Sequence, residues 1–422
     1  MSHTAEIIAV GTELLLGNIA NTNAQDLSQA LSAVGVNVFW HTVVGDNPQR
    51  LRDALNIARS RADVIITTGG LGPTYDDLTK QTICEVFGKP LVFYPEILET
   101  IRDYFARNVH MAMPENNRSQ AEFPADCVIF DNPVGTAPGC AFESEGVHVL
   151  MLPGPPFEML TMLRRHVVPY LRSLSSEVIL SHDIMTFGLG ESPMEELLRE
   201  KMEHMENPSL ATYAKPSEVR LRATAKAATV EEAEAMLSSV VEEVVTFLGD
   251  VVYGVDVEGL ENVCFDLLKE RGWTMATAES CTGGRVAERM TALPGVSAVY
   301  RGGVVSYWTS VKGDVLGVSR ETLEKFGAVS PETARAMAEG ACRITGAEVA
   351  VSVTGVAGPD PDERGVEVGI VYIGLATPSG TFCRRLDLGK RRRDRIQDLA
   401  TNHAFDVVRR YLTGLPVETW NR

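Results

Sequence analysis

The segment Asp63–Thr68 (DVIITT) constrains the fold more than any other stretch of the chain. It is a short apolar and β-branched run that passes without a break into Gly69-Gly70-Leu71-Gly72-Pro73. A strand with no polar alternation is buried on both faces, which is the situation of a parallel sheet covered by helices. Its neighbours repeat the arrangement. Glu6–Val10 (EIIAV) is a second buried strand that stops at Gly11. Residues 23–34 place Leu27, Ala30, Leu31 and Val34 at helical spacing, with Gly35 as a stop. Residues 36–44 form a strand, and Asp46-Asn47-Pro48 opens a helix to about Ser60. Asp77 or Thr79 opens the next. The βαβαβα order predicts an α/β domain with a doubly wound, mainly parallel sheet.

Residues 91–123 break the rhythm and read as a lid or insert. A hairpin around 139–149 follows, then a strand over 147–152 ending in Pro153-Gly154-Pro155-Pro156, then a helix over 157–174. Residues 175–255 read as a small α+β module with no reactive constellation, a spacer or docking domain. Residues 256–422 form a third, α/β domain. Its helix 260–271 leads to a strand over 273–278, strands follow at 298–307, 347–354 and 366–376, and the last helix runs from about 393 to 412. The expected domains are therefore 1–174, 175–255 and 256–422.

Composition excludes several classes. With 39 Lys+Arg against 56 Asp+Glu, the net charge of −17 argues against a broad nucleic-acid surface. No run of about 18 apolar residues predicts a membrane span, and the start Met1-Ser2-His3-Thr4 has no basic leader. Seven dispersed cysteines without CxxC or Cys/His spacing fit free thiols in a reducing cytosol. The expected location is cytoplasmic.

Three Gly/Pro-rich strand ends converge where ligands bind in open α/β sheets: Gly11-Thr12-Glu13, the loop from Gly69 to Thr79, and Pro153 to Glu158. Gly69, Gly70, Gly72 and Gly154 let the backbone approach a ligand and aim N–H groups at phosphate oxygens, with Thr74 beside them. Carboxylates next to a phosphate repel it unless a cation lies between. Asp76 and Asp77, with Glu13 or Glu158, therefore point to a divalent metal. The plainer alternative, a tight turn with Asp77 capping a helix, weighs about the same from this motif alone.

In the third domain Ser280 follows a buried strand and precedes Thr282-Gly283-Gly284 at an expected helix start. There the helix dipole and free N–H groups of residues 281–284 would favour an oxyanion. A serine hydroxyl needs a base, and no histidine lies in the neighbouring segments. A desolvated Lys312 would accept the proton, with Tyr307 relaying or orienting it. Cys281 is the rival nucleophile. The structural alternatives are a serine N-cap, a solvated lysine and a tyrosine at the core edge. Seven of the twelve residues 384–395 are Lys or Arg. Arg391 and Arg395, four apart, would share a helix face and hold a phosphate.

These segments resemble the CinA family: GTELLLGNIANTNAQDL (11–27), TGGLGPTYDDLT (68–79), NPVGTAPG (132–139) and LPGPPFEM (152–159), then AESCTGG (278–284), SY…K (306–312), VTGVAGP (353–359), VGIVYIGLA (368–376) and the GxRxxxR run 389–395. The resemblance implies a molybdopterin-binding-like first domain that hydrolyses ADP-ribose to AMP and ribose 5-phosphate with a divalent metal. Asp77 stands at the shared acidic position, and Asn21, Asn23 and Asn117 match family positions. It further implies a C-terminal amidase that converts nicotinamide mononucleotide to nicotinate mononucleotide and ammonia without a cofactor. Ser280 is then the nucleophile, assisted by Tyr307 and Lys312. Thr354 and Arg395 match catalytic or binding positions, and Thr282, Gly283, Gly284 and Gly355 match substrate contacts. A homodimer is implied as well. The loop 359–367 departs from the family in being acidic rather than glycine-rich with a lysine, as does Trp308-Thr309-Ser310 after the tyrosine. Two other readings compete: a competence- or damage-linked nucleotide-binding regulator without turnover, and a molybdopterin-binding relative.

Overall fold

The computed structural model describes residues 3–174, 178–215 and 218–418. The Met1-Ser2 start, the 174/175 boundary at residue 175, and the chain end at 422 fall outside the described residues. The chain divides into two compact units, Met1–Leu180 with Ala225–Ala235, and Ser181–Thr224 with Met236–Arg422.

The N-terminal half contains strands β1 (Thr4–Val10), β2 (Asn37–Val44), β3 (Val64–Thr68), β4 (Leu91–Phe93), β5 (Glu122–Pro124), β6 (Val128–Phe130), β7 (Gly139–Ser144) and β8 (Val147–Leu152). Six of them form one sheet in the order β2-β1-β3-β8-β7-β6. β1 pairs in parallel with β2 and β3, and β3 with β8, while β7 and β6 add antiparallel edges. All five residues of β3 are buried, as its lack of alternation requires. The helices start where local chemistry directs. Asn21 Oδ1 accepts from Ala24 N–H, and Asn47 Oδ1 accepts from Arg50 N–H with Pro48 in the first turn. The insert is built of the β4–β5 pair, a helix Pro95–Tyr104 and a short 3₁₀ segment, with its own apolar cluster of Leu98, Ile101 and Ala121.

One buried charge shapes the first strand. Glu6 is 0% exposed in the middle of an apolar run. Arg61 Nε and Nη2 donate to its two oxygens at 2.8 and 2.9 Å, and Thr42 Oγ1 adds a third bond at 2.6 Å. The Arg61 guanidinium lies over the Trp40 ring, 4.5 Å from its centroid. A carboxylate is tolerated there because every lone pair it turns inward is matched.

A four-stranded sheet follows in the order β10-β11-β9-β12, from β9 (Val178–Phe187), β10 (Ser209–Lys215), β11 (Glu218–Ala227) and β12 (Val252–Val255), with helices Glu191–Glu203 and Val230–Leu248. The last sheet has the order β14-β13-β15-β16-β17: β13 (Met275–Glu279), β14 (Tyr300–Val305), β15 (Val349–Gly355), β16 (Ile370–Thr377) and β17 (Gly380–Asp387). β13 runs parallel to both its neighbours, and β16 and β17 are antiparallel. Its core is Val349, Val351 and Val353 of β15 and Val371, Ile373 and Leu375 of β16, covered by the helix Arg393–Leu412.

That helix is anchored by a buried ion cluster. Arg384 of β17 and Asp406 are both 0% exposed and bonded at 2.8 Å. Asp406 also accepts from Arg409 at 2.7 Å, and Arg409 donates onward to the carbonyls of Asp250 and Val252. Removing the shared acid would break the buried bonds it accepts from both Arg384 and Arg409. We therefore expect Asp406→Ala to lower stability by about 3–5 kcal/mol, read as a fall in the urea midpoint.

Candidate functional site

Two cavities lie at the carboxyl ends of the parallel strands. The first, about 390 Å³, is walled by the three Gly/Pro-rich strand ends. Close backbone approach requires its glycines. Gly69 has φ +104°, and a Cβ there would come within 2.1 Å of the Val10 carbonyl oxygen. At Gly70, φ +69°, a Cβ would meet Thr79 Oγ1 at 2.0 Å. Gly72, Thr74, Gly154 and Glu13 line the same space. The loop is supported from below: Asn117 Nδ2 donates to Gln120 Oε1 at 2.7 Å, and Gln120 Nε2 donates to the Leu71 carbonyl at 3.2 Å. Asn23 Nδ2 ties Thr68 Oγ1 to the Gly154 carbonyl, both at 2.8 Å. Asn23 and Asn117 therefore brace the cavity, and Asn21 is a helix cap.

Asp76 and Asp77 line this cavity side by side. The helix beyond them begins at Thr79 with Leu78 at its cap and no side-chain capping bond, so Asp77 is not a helix cap. Instead Asp77 Oδ2 accepts from Thr74 N–H at 2.9 Å and from Thr74 Oγ1 at 2.5 Å, and Asp76 Oδ1 shares that hydroxyl. The opposite wall carries Glu158, whose Oε2 accepts from Asn132 Nδ2 at 2.5 Å and whose pKa is raised by burial. Asp46, which the sequence reading passed over, also lines the cavity and holds the first turn by accepting from Thr12 N–H and Oγ1. Its place just ahead of the Asn47 cap was the available signal. Among the described residues no group of three acidic, His or Cys side chains is close enough to enclose an ion. Glu13 does not complete such a group with Asp76 and Asp77. The two aspartates do fit a hydrated divalent cation, which keeps most of its waters and takes one or two carboxylates plus substrate phosphates.

The second cavity, about 640 Å³, contains Ser280, Tyr307, Lys312, Thr354 and Gly355. Lys312 is 1% exposed, so the solvated-lysine alternative fails. Its Nζ donates to Ser280 Oγ at 2.9 Å and to the Ser306 carbonyl at 2.6 Å. Burial pushes its pKa down to about 8. A neutral fraction of the amine is thus present at neutral pH, next to the hydroxyl it would deprotonate.

The surroundings of Ser280 differ from expectation in one respect. The following helix begins at Arg285 with Gly284 at its cap, four residues later than a serine N-cap would require. The buried Glu279 carboxylate fills the helix start, accepting from Gly284, Val286 and Ala287 N–H at 2.8–3.1 Å. Gly283 N–H is used by the Ser280 carbonyl. Gly283 and Gly284, with φ +64° and +103°, shape the turn instead of contacting the cavity. Thr282 is buried outside it. The remaining donors beside Ser280 are the N–H groups of Cys281 and Thr282, which bond no oxygen of the described residues. Cys281 lines the cavity, but burial pushes its thiol up to about 12, so it is a poor nucleophile.

Tyr307 and the arginines are arranged differently from the sequence reading. Tyr307 makes no hydrogen bond to Ser280 or Lys312; its hydroxyl accepts from Arg393 Nη2 at 2.7 Å. Arg393 also donates to the Gly358 carbonyl at 2.6 Å and lines the cavity. Arg391 and Arg395 do not. The helix starts at Arg393, so Arg391 precedes it and turns back to the Leu388 carbonyl. That start is where the sequence placed it, so Arg391 and Arg395 do not share a turn of this helix. Thr354 Oγ1 donates to the Ala328 carbonyl at 2.7 Å and holds the facing wall. Glu279 is the second residue that sequence reasoning missed. We expect Glu279→Ala, which strands three backbone donors, to lower stability by about 1–3 kcal/mol in thermal unfolding.

Three sequence families match the chain: residues 6–173 a probable molybdopterin binding domain, 181–254 the damage-inducible protein CinA KH domain, and 257–412 the CinA C-terminal domain. A curated relative from Acetivibrio thermocellus, named for competence and damage induction, is 47% identical over 411 residues, covering 97% of this chain and 99% of its own length. A CinA-like protein from Kosmotoga olearia is 44% identical over 411 residues, with the same coverage. Among solved structures, a CinA protein of unknown function from Thermoplasma acidophilum is 33% identical, covers 39% of this chain and 95% of its own, and superposes with a TM-score of 0.36.

Proposed function

Because the chain belongs to the CinA family, with a molybdopterin-binding-like domain and a CinA C-terminal domain, we propose that it is a bifunctional hydrolase of pyridine-nucleotide salvage. The C-terminal domain deamidates nicotinamide mononucleotide to nicotinate mononucleotide. The observation that carries this reading is the 2.9 Å contact between Lys312 Nζ and Ser280 Oγ inside a cavity.

The chemistry follows from that pair. Neutral Lys312 takes the Ser280 proton as Oγ attacks the carboxamide carbon. The N–H of Cys281, the residue beside Ser280 that lines the cavity, is the donor we assign to the developing oxyanion. The ammonium of Lys312 then returns its proton to the departing amine, and ammonia leaves an acyl-serine ester. Water, deprotonated by Lys312, cleaves the ester and regenerates the hydroxyl. Arg393, oriented by Tyr307 and the Gly358 carbonyl, supplies the positive charge for the nucleotide phosphate.

For the N-terminal domain we propose metal-dependent cleavage of the pyrophosphate of ADP-ribose to AMP and ribose 5-phosphate. Asp76 and Asp77 would hold a divalent cation, which when bound offsets charge on the bridging oxygens. The Gly69–Gly72 backbone and Thr74 face the phosphates, and Asn23 and Gln120 keep that loop in place. We place the protein in the cytoplasm; no described helix is long and apolar enough to cross a membrane. We also propose a homodimer.

Ammonia release from nicotinamide mononucleotide tests the first activity. We expect Ser280→Ala to abolish it; release at the wild-type rate would refute the nucleophile. Since the base must be neutral, kcat/KM should rise with pH and level off above about 8, the value to which burial lowers Lys312. A flat profile between pH 6 and 8 would exclude that role. For the second activity, chelator and Asp77→Ala should each suppress AMP formation by at least tenfold. AMP formation that survives both eliminates the metal–carboxylate mechanism. Tight nucleotide binding with no turnover at either centre would instead favour a regulatory protein.

A further inference from the structure

The Ser280 cavity has an outer wall that the proposed chemistry does not use. One side is the segment Asp360–Arg364, including Asp362 and Glu363; the other is Leu323 and Gly327–Val329. This second side is fixed from within the domain. Thr333 Oγ1 donates to the Gly327 carbonyl at 2.6 Å, and Thr354 Oγ1 donates to the Ala328 carbonyl at 2.7 Å.

The acidic segment has its own internal turn. Asp362 Oδ1 accepts from Arg364 N–H at 3.0 Å and from Val366 N–H at 2.7 Å. Those bonds shape the segment without attaching it to the opposite wall. Arg364 makes the attachment. Its Nη1 donates to the Lys325 carbonyl at 3.3 Å, and its Nη2 donates to the carbonyls of Leu323 at 3.1 Å and Glu324 at 2.6 Å. These are end carbonyls of the helix Arg320–Phe326, that of Leu323 accepting also from the Gly327 N–H at 3.1 Å, and they carry the helix's negative partial charge. A planar cation with a fork of donors is suited to bridging them. The contact is close: a Cβ added at Gly327 would meet Arg364 Cδ at 2.8 Å.

We propose that Arg364 is a positioning residue of the amidase cavity: by clasping the helix end at residues 323–325 it draws the acidic segment 360–363 across the mouth, so that a mononucleotide is enclosed and a longer dinucleotide is kept out. This rests on the amidase reading above. Asp360, Asp362 and Glu363 line the same cavity as Arg393, so a second phosphate entering it would meet their carboxylates while Arg393 takes the first. Charge repulsion and a narrowed mouth then act against the same substrates.

Two measurements test the strap. Steady-state ammonia release is compared for nicotinamide mononucleotide and nicotinamide adenine dinucleotide in the wild type, Arg364→Ala and Arg364→Lys. In Arg364→Ala, KM for the mononucleotide should rise about tenfold with kcat within about twofold. Discrimination against the dinucleotide should fall by a similar factor, and Arg364→Lys should recover part of both. Calorimetric binding of the mononucleotide to Ser280→Ala, with and without Arg364→Ala, gives the same comparison without turnover; a drop of about tenfold is expected. Unchanged binding and unchanged KM in Arg364→Ala would overturn the strap and leave the amidase intact. A loss confined to kcat, or a loss of fold that Arg364→Lys does not relieve, would also overturn it. A wild type that neither releases ammonia nor binds the mononucleotide fails the amidase reading, and the strap falls with it.

Discussion

Taking an ammonium group out of water is the constraint on which the C-terminal centre depends. Lys312 sits almost wholly buried, and no carboxylate bonds its amine. Its partners are a hydroxyl and a carbonyl, both neutral, so the site does little to stabilise the charged form. The surrounding fold is what keeps the amine in that position. β13 ends one residue before Ser280, and β14 ends just before Ser306, whose carbonyl receives the amine. Parallel pairing of these two strands brings the ends of both to one level. Ser280 and Lys312 are thus 32 residues apart in sequence and adjacent in space because two strands share a register.

The two cavities use carboxylates in opposite ways. In the N-terminal site Asp76 and Asp77 face open space and keep lone pairs for an external partner, with Thr74 holding their spacing. Beside Ser280, Glu279 is consumed entirely by backbone donors of the next helix. The same functional group is a ligand candidate in one place and a structural cap in the other. Burial and the number of satisfied lone pairs decide which.

Much of this could be read from the sequence, for physical reasons that differ between parts. β3 and the helices opening at Asn21 and Asn47 were legible because burial on both faces and cap chemistry are local properties. Ser280 and Lys312 were legible as residue types at strand ends. The role of Arg393 was not, because its partners, the Tyr307 hydroxyl and the Gly358 carbonyl, lie 86 and 35 residues away and leave no trace in local spacing. Glu279 was hidden for a related reason: a charged residue closing an apolar strand looks like a boundary, and only the chain's return at Arg285 reveals its three partners. The acidic loop 359–367 was visible as a departure from the family, yet its attachment through Arg364 joins residues about 40 apart and leaves no periodic trace.

The thiol next to Ser280 carries a consequence for chemical resilience. Thiolate is the species that alkylating agents and peroxides attack. With its ionisation suppressed by burial, Cys281 offers such reagents almost no reactive anion at neutral pH. In the chemistry we propose, a hydroxyl and an amine perform the displacement in a pocket whose sulfur stays silent, which would insulate the centre from the electrophilic and oxidative stress that disables enzymes built on a reactive cysteine.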